Sequence, residues 1–465
     1  MTRRTRRHVT VSAVCPVREQ GRRGAGRRAH AGPGAPRNRT TRGQGQGGPG
    51  ADGVYGPFRL GPMVQEFKKV GVVGLGTMGA GIAEVFARAG FNVIGVEIDQ
   101  AALDRGRGHL DKSLGRAVAK GKLTEEERSV IEGLLTFTTS REDLADADLV
   151  VEAVPERMDL KRDVFGDLDR ICRSETILAT NTSSLSVTEI AALTGRPERV
   201  VGLHFFNPAP VMKLAEVITT VATSADTVDV VTEVAKRIGK TPITVGDRAG
   251  FVANALLVPY INDAIRLYER KVATREEIDE SVKKAAGLPM GPLALADLVG
   301  LDVCLAVMDV LWEEYRDPRY AAAPLLRRMV AAGHHGRKTG RGFFAGRDEA
   351  PEPLPTGRYA EMVREEETLG LGELLIAPQI DDALRMIGDG YATAEDVDTA
   401  MRFGCGYPKG PTELLAERGA ESVVTTLVAM GEYGLTTIAV PAPLLMDQLP
   451  DAPEEEGHGG CACHA

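Results

Sequence analysis

A strand-like run that breaks into three spaced glycines and resumes as a helix constrains this chain more than any other feature. Lys68 to Gly81 reads KKVGVVGLGTMGAG, and Gly74, Gly76 and Gly79 stand in the spacing G-x-G-x-x-G. The first glycine of such a turn permits a tight bend, the second lets backbone approach a diphosphate, and the third lets the helix pack closely. Unpaired N–H groups at the helix start then face the anion. Spacing alone is a weak signal, so the flanks decide. Gly90 ends the helix, FNVIGVEID reads as a second strand, and Glu97 closes it, 21 residues beyond Gly76. A carboxylate at that point accepts hydrogen bonds from a ribose and repels a 2′-phosphate. The segment therefore predicts a Rossmann-type dinucleotide site that includes Thr77 and Met78 and favours NAD over NADP.

Beyond Glu97 the pattern continues as α/β. Gln100 to Gly133 reads as a helical excursion on which Ser113, Arg116, Lys120 and Lys122 make a basic face. Such a face suits a phosphorylated ligand, and it equally describes an ordinary solvated helix. LLTFTT, ADLVVEAV and TILATNT read as short buried strands, with a helix expected from Pro155-Glu156. Glu156 and Lys161 then lie beyond the carboxyl end of a parallel strand, where open α/β sheets bind ligands. His204 stands in VVGLHFFNPAP, company in which a histidine is often a hydrogen-bonded core residue. Glu216, on the strand predicted next to it, can hold one ring nitrogen and leave the other as a base.

These residues sit in linked motifs: VGVVGLGTMGAGIA, VVEAVPE, ATNTSSLSVTEI, GLHFFNPAPVMKLAEVI, GFVANALLVPYINDAIRLYE, LPMGPLALADLVGLD and GRKTGRGFF, in that order from about residue 66 to 345. In this the sequence resembles the 3-hydroxyacyl-CoA dehydrogenases. The resemblance implies NAD-dependent, reversible oxidation of an (S)-3-hydroxyacyl-CoA to the 3-oxoacyl-CoA, with short chains such as 3-hydroxybutyryl-CoA favoured for a dehydrogenase without a hydratase domain. It implies that His204 is the general acid/base, Glu216 its orienting partner, and Ser183 and Asn254 the residues around the reacting oxygen. It further implies that Ser113 and Lys120 contact coenzyme A, and that Glu97, Glu156, Lys161, Asn207 and Lys338 contact the nicotinamide cofactor. One departure is visible: the second strand ends in Glu97, where Asp is common. Two alternatives stay open. A sister enzyme acting on a free hydroxy acid or sugar acid would need no basic face near Ser113 and Lys120, and a non-catalytic NAD sensor would not need the Ser/His/Glu/Asn set.

From Gly250 the pattern turns to long helices, and the chain repeats itself. Residues 261–300 align with 380–419 at a constant offset of 119, pairing Asp263 with Asp382, Thr274 with Thr393, Gly291 with Gly410 and Pro292 with Pro411. Such self-similarity marks a duplicated unit. Asn254 falls opposite Glu373 and no second glycine motif exists, so the copy is expected to be scaffold. The expected fold class is a Rossmann-type NAD-binding α/β domain followed by two tandem all-α domains. The expected boundaries are an Arg/Gly-rich disordered extension (1–62), the NAD-binding domain (63–248), a helical domain (249–345), a linker (346–367), a degenerate second helical domain (368–450) and a flexible tail (451–465). The resemblance implies that enzymes with one helical domain pair through it, so here the two copies are expected to pair within the chain. That leaves either a monomer or a homo-oligomer built on other surfaces.

Charge excludes some classes of partner. Residues 1–62 hold 13 Arg against Glu19 and Asp52, a formal +11, while the whole chain is −9. The remainder is therefore strongly acidic and a poor candidate for nucleic-acid binding. The basic extension could serve phosphates or targeting, but its Gly/Pro-rich composition cannot bury a core. Six cysteines show no disulfide framework, which fits a cytoplasmic location. No apolar run reaches about 18 residues, so no membrane span is expected. The tail carries His458, Cys461, Cys463 and His464 on a Gly-rich end with no supporting fold, and no metal site is expected.

Overall fold

The computed structural model describes residues 67–346, 355, 360, 370–438 and 440–449. The basic extension, most of the expected linker and the Cys/His tail lie outside them.

The amino-terminal part is one eight-stranded sheet. Its strands are β1 (Lys69–Val73), β2 (Asn92–Val96), β3 (Leu135–Thr138), β4 (Leu149–Glu152), β5 (Ile177–Thr180), β6 (Val200–Phe205), β7 (Leu214–Thr219) and β8 (Thr241–Gly246), in the order β3-β2-β1-β4-β5-β6-β7-β8. All neighbours are parallel except β6 and β7, which are antiparallel. Order reverses beside β1, and in an open α/β sheet that switch point is where a ligand crevice forms. Helices α1 (Thr77–Arg88), α2 (Gln100–Ala119), α3 (Glu125–Gly133), α4 (Met158–Ile171), α5 (Val187–Ala191) and α6 (Ala225–Arg237) cover the sheet. Central strands such as β4 and β5 are buried throughout, as near-continuous apolar runs covered on both faces require. The helix expected from Pro155-Glu156 begins later, at Met158, with Arg157 as its N-cap residue.

Among the described residues ten further α-helices follow: α7 (Ala253–Glu269), α8 (Arg275–Ala286), α9 (Pro292–Val299), α10 (Leu301–Tyr315), α11 (Pro324–Ala331), α12 (Glu373–Gly388), α13 (Ala394–Cys405), α14 (Pro411–Arg418), α15 (Ala420–Glu432) and α16 (Pro443–Met446). The last five repeat the first five, down to individual contacts. Thr274 caps α8 by accepting from Glu277 N, and Thr393 caps α13 by accepting from Asp396 N. A Cβ on Gly291 would run into Asp279, and one on Gly410 would run into Asp398, the residue at the same offset. Asn262 accepts from Ala323 N, and its counterpart Asp381 accepts from Ala442 N. Helix α12 crosses α7, and both units share one apolar core. Helix α13 packs on β7 and β8, so the second unit also touches the sheet. Among the described residues no helix is long and apolar enough to cross a membrane.

Candidate active site

The glycine turn is built as its spacing predicts. Gly74 has φ +89, and a Cβ there would lie 2.8 Å from Ala153 O; a Cβ on Gly79 would lie 1.7 Å from Gly74 O. Gly76 faces open space and is the N-cap residue of α1, with no side chain satisfying the first N–H groups. Those donors are left for an anion. The turn opens onto a cleft of about 1010 Å³ lined by Gly74, Gly76, Thr77, Met78, Glu97 and Pro155, among others. Glu97 follows the last residue of β2 and lines the cleft, and its Oε1 accepts from Leu75 N at 2.6 Å, tying the end of β2 to the glycine turn. An open glycine, free helix donors and a carboxylate at the ribose position together fit a dinucleotide.

The second cluster lies at the top of β6 and β7. In the antiparallel register His204 stands directly opposite Glu216. His204 Nδ1 is 2.6 Å from Glu216 Oε2, and both side chains are buried. The other carboxylate oxygen, Oε1, accepts from Val252 N at 3.1 Å and Ala253 N at 3.0 Å, at the start of α7. A carboxylate accepts only, so Nδ1 is the donor and, in the neutral ring, Nε2 is the acceptor. Nε2 faces Ser183 Oγ at 3.0 Å. The rings of Phe206 and Phe251 pack on the imidazole at 4.7 and 5.6 Å. Asn254 is the second residue of α7, next to the two amides that anchor Glu216, and is half-buried.

Ser183 is held by a network less visible in the sequence. Glu156 Oε1 accepts from Thr182 Oγ1 (2.6 Å), Ser183 N (2.8 Å), Ser184 N (3.0 Å) and Ser184 Oγ (3.1 Å). Burial opposes ionisation of Glu156 most strongly, but Lys161 and these donors outweigh it and hold its carboxyl below the ordinary value. Lys161 is itself buried, bonded to Glu152 at 2.8 and 2.9 Å and 3.4 Å from Glu156. Asp247 accepts from Ser186 Oγ, Val187 N and Thr188 N, fixing the far end of the same loop. Glu152 stands in VVEAVPE but is given no role there, and Asp247 stands in none of the quoted motifs. Their bonds, to the Lys161 ammonium, backbone amides and hydroxyls, are ones that the fold brings near.

The remaining expected residues are more dispersed. Asn207 is exposed on the connection after β6. Ser113 is half-buried on α2, and Lys120 is the exposed residue that ends that helix. Lys338 pairs with Asp302 in the first helical unit and is not among the residues lining the glycine-turn cleft. At the position of Asn254, the second unit has Glu373, whose carboxylate is bound by Arg418 at 2.7 and 3.1 Å, so the copy has no counterpart of the site. Among the described residues, no group of three or more His, Cys, Asp or Glu is arranged to hold a metal ion.

Residues 69–248 match the family model of the 3-hydroxyacyl-CoA dehydrogenase NAD-binding domain, and residues 250–346 and 373–460 each match that of its C-terminal domain. The chain belongs to the 3-hydroxyacyl-CoA dehydrogenase family. It is an NAD-dependent oxidoreductase acting on 3-hydroxyacyl-CoA, and its helical C-terminal domain is present twice. A 3-hydroxybutyryl-CoA dehydrogenase of Clostridioides difficile is 51% identical over 276 residues, which cover 59% of this chain and 98% of that protein. One of Mycobacterium tuberculosis is 48% identical over 284 residues, covering 61% and 99%. The crystal structure of 3-hydroxybutyryl-CoA dehydrogenase from Escherichia coli K12 is similar at 31% identity with a TM-score of 0.76, covering 82% of this chain and 98% of that one. This dehydrogenase is therefore similar to shorter relatives over a span about as long as its NAD-binding domain and first helical unit together, and to the Escherichia coli protein over a longer span.

Proposed function

We propose that the chain interconverts (S)-3-hydroxybutyryl-CoA and acetoacetyl-CoA, with His204 as general acid/base. The observation that carries this reading is the placement of His204 between Glu216 and Ser183. Bound NAD supplies the hydride acceptor. His204 Nε2 takes the hydroxyl proton, and the positive charge that forms on the ring faces a carboxylate 2.6 Å from Nδ1. Ser183 and Asn254 orient the reacting oxygen, a positional contribution. Glu216 is bound to the first amides of α7, so the base and the helical unit are placed as one piece. In the glycine-turn cleft, Gly74, Gly76, Thr77, Met78, Gly79 and Glu97 hold the adenosine diphosphate half. Glu156 and Lys161 act on the nicotinamide end through the Ser183 loop, and Asn207 and Lys338 are assigned to it by the family resemblance alone. The names of the relatives support the short acyl chain. The test is consumption of NADH with acetoacetyl-CoA, with free acetoacetate as control. Turnover of acetoacetate alone would favour a free-acid enzyme, and inertness with both would favour a sensor.

Lys120→Ala should raise KM for the CoA substrate but not for a CoA-free thioester analogue, because only coenzyme A presents phosphate to the ammonium. Steady-state kinetics with both substrates checks this, and equal losses would make Lys120 an ordinary exposed lysine. Glu97→Ala should relax the preference for NADH over NADPH, since a 2′-phosphate no longer meets a carboxylate. It also removes the acceptor of Leu75 N, so some loss of NADH affinity should accompany the relaxation. An unchanged NADH/NADPH ratio would assign the discrimination to another residue.

We infer also that the paired helical units leave this chain a monomer. The cysteines support a reducing, cytoplasmic setting: Cys172, Cys304 and Cys405 are free. Burial raises the thiol of Cys172 to about 11, which leaves it protonated and unreactive at neutral pH.

A further inference from the structure

The active-site pair depends on a connection that neither partner belongs to. His204 and Glu216 sit on neighbouring antiparallel strands, and residues 206–213 join those strands. In an antiparallel pair a slip of one residue turns every side chain to the other face. Whatever fixes this connection therefore fixes the pair.

Three features fix it. Phe205 N donates to Asn181 Oδ1 at 2.8 Å where the connection begins. Val211 N and Met212 N both donate to Pro208 O, at 2.9 and 3.0 Å, which folds the connection into a compact turn. The third feature is Lys240, in the short bend between α6 and β8. Its side chain is only 9% exposed, and its ammonium donates to Ala209 O and, at 2.6 Å, to Met212 O. Those two carbonyls bracket the turn. On its other side the turn rests against α1, where a Cβ on Gly81 would come within 3.2 Å of both Ala209 and Pro210. Lys240 thus presses the turn against the helix whose amino end faces the dinucleotide.

A buried ammonium is an expensive way to satisfy two carbonyls. Burial, and after it the nearby Lys213, lowers the Lys240 ammonium to about 8. An apolar side chain would avoid that cost but leave both carbonyls without a donor.

We propose that Lys240 is a positioning residue for the dehydrogenase reaction: by clasping Ala209 O and Met212 O it sets the β6–β7 connection and so holds His204 against Glu216 and Ser183. This rests on the reading of His204 as the acid/base.

The test exploits a cavity of about 310 Å³ lined by Met212, Lys213, Gly239 and Lys240, through which a small amine can reach the vacated place. Lys240→Met keeps the length and loses the donors. It should lower kcat by roughly ten- to a hundred-fold, the scale of an error of about an ångström at a reacting group, and leave KM for acetoacetyl-CoA within a few-fold. Lys240→Arg should recover part of the loss. Lys240→Gly should regain turnover with saturating ethylammonium, which can donate, but not with tetramethylammonium, which carries the same charge and cannot. His204→Ala should respond to neither amine. Should His204→Ala stay active, the underlying reading fails, independently of Lys240. Normal kcat in Lys240→Met would overturn the proposal. So would variants that fail to fold with and without ethylammonium, or activity lost in step with melting temperature and restored by neither amine nor arginine; each would make Lys240 a residue of the fold alone.

Discussion

His204→Ala is expected to bind NADH within a few-fold of the parent and to turn over at least about a hundred-fold more slowly, the usual scale for loss of a general acid/base. The contacts proposed for the adenosine diphosphate half lie at the glycine turn and the end of β2, so binding, followed by NADH fluorescence, should be nearly untouched. Glu216→Gln should be almost as damaging, for a reason the geometry makes specific. Both oxygens of Glu216 accept: Oε2 from His204 Nδ1, Oε1 from Val252 N and Ala253 N. A glutamine has one oxygen and one NH2. With the oxygen toward α7, the NH2 meets Nδ1 and drives the ring proton to Nε2, which abolishes the base. Turned over, the NH2 meets two amides that need an acceptor, and the anchor to the helical unit is lost. Neither orientation keeps both functions. Because the two residues act as one device, the double variant should be little worse than His204→Ala alone. Near-normal turnover of His204→Ala would refute the assignment, and clearly multiplicative losses would separate the pair.

Local chemistry was legible in the sequence wherever partners are close along the chain. The G-x-G-x-x-G turn and Glu97 are neighbours through one helix and two strands, and the structure builds them as the spacing indicates. Family membership and the order of the fold were legible through ordered motifs, and the duplicated helical unit through its constant offset. The boundary at Pro155-Glu156 was misplaced by three residues, since a proline there reads as a helix start while Arg157 takes the cap position. Partnerships formed across the fold could not be read. Lys161 is expected beyond the carboxyl end of a strand, but its burial between Glu152 and Glu156 carries no sequence signal. The pairing of Lys338 with Asp302, 36 residues earlier on α10, carries no sequence signal either. Lys240 carried no signal at all, because its partners are backbone carbonyls, which every sequence possesses.

Ending the chain at Gly346 should produce a protein that either dimerises or precipitates. The second helical unit covers surface that the first cannot leave bare. Helix α12 lies across α7, and Leu374, Leu375, Ile376 and Ile380 are almost wholly buried in the shared core. The seam is also polar and specific. Gln379 Nε2 donates to Leu256 O at 3.3 Å and to Tyr407 Oη at 3.1 Å. Arg418 donates to Ala285 O at 2.8 Å, and Arg319 reaches across to Asp382 at 2.7 Å. Gly372 lies so close to α8 that a Cβ would sit 2.6 Å from Ala285 Cβ. Near the catalytic pair, a Cβ on Gly404 would meet Leu214 Cδ2 at 2.6 Å, and Phe206 lies beside it. Truncation would uncover all of this at once, including the flank of the ring that packs on His204. Tethering holds the second unit at an effective concentration on the order of millimolar, so the intact chain has no need of a partner for this face. The shortened chain should find one in another copy, seen as a doubled mass by light scattering and as activity that falls on dilution, or else aggregate. A stable, fully active monomer ending at Gly346 would show that the second unit covers nothing the enzyme requires.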